Sequence, residues 1–107
     1  MTHLKFYRDS NDKLTGFECK GHAGYAEAGE DIVCAAISIL TINFVNSVEL
    51  LTDSFPEVVE DADKGYLNVT IKEYDKADVQ LLFNSLSLGL DNIREEYPKF
   101  FDLTYDK

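Results

Sequence analysis

Leu4 and Phe6 alternate with Lys5 and Tyr7, and this period of two predicts a first strand. The cluster Asp9-Ser10-Asn11-Asp12 predicts a turn. Leu14 to Lys20 then reads as the returning strand of a hairpin, with Phe17 and Cys19 on its inward parity. A glycine-containing loop, Gly21 to Glu30, separates this hairpin from a long apolar segment. From Ile32 to about Thr52 the pattern predicts a helix, with Asp31 as its N-cap. Glu57–Ala62 and Tyr66–Lys72 bracket Asp63-Lys64-Gly65 and predict a second hairpin. Val79, Leu82, Phe83, Leu86, Leu90, Ile93 and Tyr97 recur at helical spacing. They predict a second helix, capped by Asp75 and ended by Pro98. Phe101, Leu103 and Tyr105 alternate as a last strand. The expected order is ββαββαβ, an α+β fold with a mixed five-stranded sheet and two helices in one domain spanning residues 1–107.

The two helical patterns differ. The second has one apolar stripe. The first is apolar nearly all round, apart from Cys34, Ser38 and Thr41 at i, i+4 and i+7 on one face. A helix of that kind needs cover on two sides, from a sheet and from a second helix or a partner chain, which hints at a homodimer. Asn43, Asn46 and Glu49 interrupt it, so it reads as a buried helix and no membrane association is expected.

Hydrophobic residues make up 45% of the 107 and charged residues 28%, an ordinary globular balance for one core. The net charge is −10, from ten Lys and Arg against twenty Asp and Glu. Such a surface repels phosphate backbones, so no direct nucleic-acid binding is expected, and it suits a basic peptide or protein. Charge that serves solubility alone is the other reading. The N-terminus has no long apolar run of the signal-peptide kind, and the two cysteines then read as free thiols in a reducing cytoplasm.

The candidate chemistry gathers in the loop. Three of the six glycines, Gly21, Gly24 and Gly29, lie within nine residues. His22 follows the first of them, and Cys34 stands where the loop turns into the helix. The unpaired N–H groups and positive dipole of a helix start favour a thiolate, and an imidazolium beside it favours it further. Glu27, Glu30 and Asp31 act against it. Cys34 is therefore either an activated nucleophile or a small buried hydrophobe, and the residues alone leave both open. Other motifs fail on chemistry. Gly24-x-x-x-x-Gly29 is followed by Glu30 where a phosphate loop needs Lys. There is no Cys-x-x-Cys, and Leu40 stands where a thiol phosphatase carries Arg. Cys19, His22 and Cys34, with His3 or Asp31, could supply zinc ligands, but their spacing matches no common finger and no metal is expected. His3, on the outward parity of the first strand, reads as a solvated surface residue.

The run Gly21-His22, the glycine-containing loop, and Asp31-Ile32-Val33-Cys34-Ala35 followed by Ser38 resembles the ribosomal-processing cysteine proteases of the Prp family. The twelve-residue step from His22 to Cys34 is the specific part, and the length and element order fit as well. The resemblance implies a homodimeric cysteine endopeptidase without a cofactor. Its substrate would be the precursor of the large-subunit ribosomal protein L-twenty-seven, cut after an aromatic pair and before a small residue. It implies Cys34 as nucleophile and His22 as general base. Asp31 would orient His22 or cap the helix, and Ser38 would line the site. Gly21, Gly24, Tyr25 and Gly29 would form a substrate-binding loop, the least ordered part of the free protein, with Tyr25 meeting an aromatic side chain. A different class of function, a non-catalytic acidic dimeric accessory protein that binds basic ribosomal proteins, would keep the acidic face and tolerate loss of the thiol.

Overall fold

The computed structural model describes residues 1–21 and 29–106. Strands β1 (Thr2–Arg8) and β2 (Leu14–Lys20) form the first hairpin, followed by helix α1 (Glu30–Leu51). Strands β3 (Pro56–Asp61) and β4 (Tyr66–Ile71) form the second, joined through a single 3-10 turn at Ala62–Lys64. Helix α2 (Ala77–Glu96) and strand β5 (Phe101–Asp106) complete the chain. The sheet order is β3-β4-β2-β1-β5. β1 and β5 run parallel and the other neighbours antiparallel, so the sheet is mixed, as the sequence predicts.

Two crossovers explain this order. The chain leaves β2, passes through α1 and returns as β3 on the far side of β4; it leaves β4, passes through α2 and returns as β5 beyond β1. Both helices pack on the sheet face that carries Leu4, Phe6, Phe17, Val69 and Leu103, and these join both helices in one buried core. An aromatic chain runs through it. Phe6 meets Phe17 at 6.0 Å between ring centres, Phe17 meets Phe44 of α1 at 5.9 Å, and Phe44 meets Phe83 of α2 at 4.6 Å. Each such pair contributes about 0.5–1.5 kcal/mol beyond simple burial.

α2 buries Val79, Phe83, Leu86 and Leu90, within the apolar stripe of the sequence pattern. Asp75 does not cap it: the N-cap is Lys76, whose carbonyl accepts from Gln80 N at 2.9 Å. α1 buries Val33, Ile37, Phe44 and Val48. By length and composition its 21-residue stretch Asp31–Leu51 could cross a bilayer, but here it lies along the sheet with that row in the core. α1 also begins earlier than expected. Its N-cap is Gly29, at φ 97° in the left-handed region that glycine adopts without strain, and no side chain caps it. Asp31 is thus the second helical residue and Cys34 the fifth.

Candidate active site

Cys34 sits one turn inside α1, and the early start changes its setting. Val33 N already donates to Gly29 O at 3.3 Å, so the N–H groups left without helical partners lie ahead of Cys34. The polar stripe Cys34, Ser38 and Thr41 lines a cleft of about 250 Å³. Its other walls come from the start of β1 (Thr2), the end of β2 (Cys19) and the second hairpin (Glu60, Gly65, Tyr66, Leu67). Ser38 is exposed there, whereas Thr41 is buried and its hydroxyl donates back to Ile37 O at 2.9 Å.

The thiol of Cys34 is not simply packed in hydrocarbon. Its Sγ lies 3.6 Å from Thr2 Oγ1, and Cys34 is partly exposed to the cleft. Cys19 is on the core-facing side of β2, as its parity predicts, yet it also reaches the cleft. Burial, and secondarily the nearby Cys34, pushes the Cys19 thiol up to about 11, so it stays protonated at neutral pH. The two thiols thus have different environments within one cleft. His3 is exposed on the opposite side of β1, where Nδ1 lies 3.3 Å from Asp102 Oδ2.

Gly21 closes the cleft beside Thr2, and its backbone has no alternative residue. Its φ is 118°, and a Cβ there would stand 2.4 Å from Met1 O and 3.0 Å from Thr2 Cα. Its N–H donates to Gly65 O at 3.1 Å, tying the end of β2 to the second hairpin. The residue after it is His22. His22, Gly24 and Tyr25 lie outside the described residues, as does the expectation that this loop is the least ordered segment. Asp31 is exposed and is not among the residues lining the cleft. Among the described residues no group of three or more His, Cys, Asp or Glu is placed to hold a metal ion.

The family model for the cysteine protease Prp matches residues 1–102. This chain belongs to the Prp family of cysteine proteases. The Bacillus subtilis ribosomal processing cysteine protease Prp is 33% identical over 95 residues, covering 84% of this chain and 85% of that one. The structure of the Staphylococcus aureus Prp protease with a substrate peptide has a TM-score of 0.94 at 27% identity, covering 99% of this chain and 100% of that one. A second structure of that protease, with a covalently linked product peptide, has a TM-score of 0.89 at 28% identity, covering 99% and 100%. Membership in Prp makes the chain a cysteine protease, and this sets aside the non-catalytic accessory protein.

Reasoning from sequence missed Thr2, Cys19 and Gly65 as walls of the cleft. Thr2 carries no local signal, since it is simply the first residue of a strand 32 positions from Cys34. The inward parity of Cys19 points it to the core but cannot show that the end of its strand meets the start of a helix. Gly65 was visible only as a hairpin glycine.

Proposed function

We propose that this chain is a cytoplasmic endopeptidase that removes the N-terminal extension of the precursor of ribosomal protein L-twenty-seven, acting as a homodimer. The observation that carries the reading is Cys34 presented to an open, peptide-sized cleft, in a chain that belongs to a cysteine protease family. In this reading His22 takes the thiol proton and the Cys34 thiolate attacks the scissile carbonyl. The imidazolium returns the proton to the departing amine, and water hydrolyses the resulting thioester. The N–H groups in the first turn of α1, ahead of the Val33–Gly29 bond, are donors available to the oxyanion. Asp31 supports His22, Ser38 lines the site beside Cys34, and Gly21, Gly24, Tyr25 and Gly29 belong to the loop that binds the peptide.

The walls support the expected selectivity. Ile37, Ile42 and Leu67 offer apolar surface to an aromatic pair. Glu60 at the rim and the net charge of −10 suit a basic ribosomal protein. The exposed Ile32 and Ile39 of α1, which do not line the cleft, support a second copy as its cover.

The test is incubation with the purified precursor and mass measurement of the product. One cut between an aromatic pair and a small residue is expected. An intact precursor, or cuts scattered along it, would overturn the substrate assignment.

A further inference from the structure

We propose that Thr2 is a positioning residue for Cys34, its hydroxyl donating to the nucleophilic sulfur as a thiolate. Thr2 occupies the first position of β1 on the core-facing side, in phase with Leu4 and Phe6. Apolar residues fill the next two positions of that row, yet this one carries a hydroxyl that is 4% exposed. A buried hydroxyl costs stability unless it is bonded. The hydrogen bond of the Thr2 side chain among the described residues is to Cys34 Sγ at 3.6 Å, within reach for sulfur.

Its backbone holds it there. Thr2 N donates to Phe100 O at 3.0 Å, Thr2 pairs with Phe101 of β5, and Gly21 packs against its Cα from the other side. The hydroxyl is therefore delivered by a fixed strand rather than by a loop. When the sulfur is a thiol, either group can donate. When it is a thiolate, only the hydroxyl can, so the contact favours the ionised form and keeps Sγ aimed into the cleft. The other ionisable side chains at the cleft are Cys19 from β2 and Glu60 from β3, while the Tyr66 hydroxyl of β4 turns to Glu18 on the other face of the sheet. Asp31 stands one turn earlier on α1, and His22 lies outside the described residues.

This inference concerns the catalytic thiol of the proposed protease, and its test reads that thiol without needing a substrate. Thr2→Val keeps the shape and removes the hydroxyl; Thr2→Ser keeps the hydroxyl. The rate of iodoacetamide modification is followed against pH on the intact protein, with the Cys34 peptide resolved from the Cys19 peptide by mass. The midpoint for Cys34 should rise by about one pH unit in Thr2→Val, a roughly tenfold loss of thiolate below it, and return to within a few tenths of wild type in Thr2→Ser. In precursor cleavage Thr2→Val should lower kcat/KM at neutral pH by a similar factor through kcat, with KM nearly unchanged. Superimposable alkylation profiles for all three proteins would overturn the proposal, as would equal shifts in Val and Ser, which would indicate a packing effect. Should Thr2→Val fail to fold by circular dichroism, Thr2→Ala carries the same expectation. Failure of precursor cleavage with the alkylation shift intact would count against the substrate reading and leave Thr2 in its role.

Discussion

The two helices lie side by side on one face of one sheet, yet they differ in what their outer surfaces need. α2 spends its apolar residues inward: Val79, Phe83, Leu86 and Leu90 are buried, and Asn84, Ser85, Asn92 and Glu95 face solvent, with Leu81 and Leu88 between them. α1 buries a comparable row and still leaves Ile32, Ile39 and Ile42 at 65%, 68% and 57% exposure, with Ala35 in the same outward stripe. The sheet and α2 do not reach that stripe. One helix is a brace with two separate exposed leucines, Leu81 and Leu88, outside its core-facing stripe. The other carries Cys34, the proposed nucleophile, one turn inside its start, lines the cleft with one face and offers apolar surface on another. A residue pattern richer than the core requires is the mark of the helix with further work.

The two helices should differ most in their effect on activity. Cys34→Ala and His22→Ala should each lower precursor cleavage by at least about a thousandfold. Alanine suits a helix, so Cys34→Ala should leave the melting temperature within a few degrees of wild type. Cleavage retained by Cys34→Ala would remove α1 from its role. The brace should respond in the opposite way. Phe83 is fully buried against Phe44, and Phe83→Ala should cost roughly 3–5 kcal/mol in urea unfolding. A cost below about 1 kcal/mol would show that α2 does not carry the core.

A smaller effect separates the outer surfaces. Ile39→Glu on α1 should weaken self-association at least about tenfold by light scattering or sedimentation, whereas Leu88→Glu on α2 should leave it unchanged. Equal behaviour of the two variants would dissolve the distinction.

The smallest effect is in the alkaline range. The Cys19 thiol is raised from 9.0 to about 11 in the folded protein, mainly by burial. The folded state therefore holds the proton more tightly than the unfolded chain. That contribution to stability is complete below about pH 9 and is lost progressively as pH rises towards about 11. Cys19→Ala should flatten that fall in a series of urea midpoints, and a parallel decline in both proteins would assign it to other groups.

Much of this molecule is legible along the chain. The strand parities of Leu4, Phe6, Phe17, Leu67, Val69 and Leu103 and the stripe of α2 come from local periodicity, because side chains two apart on a strand, or three to four apart on a helix, share a face whatever surrounds them. The run from Gly21 to Ser38 carries the family resemblance in the same way. Cys34, Ser38 and Thr41 share one helix face by their spacing, and the structure turns that face to a cleft. Helix starts were less legible. Asp31 and Asp75 are good caps by type, but Gly29 and Lys76 hold those positions, because the cap is decided by where the backbone must turn to meet the sheet.

The sequence by itself determined the order of elements, their inward faces and, through the run from Gly21 to Ser38, the family. The tertiary structure alone decided which residues meet at the sulfur. Thr2, Cys19 and Gly21 reach Cys34 only because β1 and β2 lie side by side under the start of α1, and Gly65 joins them because β4 pairs with β2. No short window of sequence encodes that convergence. It depends on the sheet order, and the sheet order is set by packing summed over the whole core, in which residues far apart along the chain contribute together.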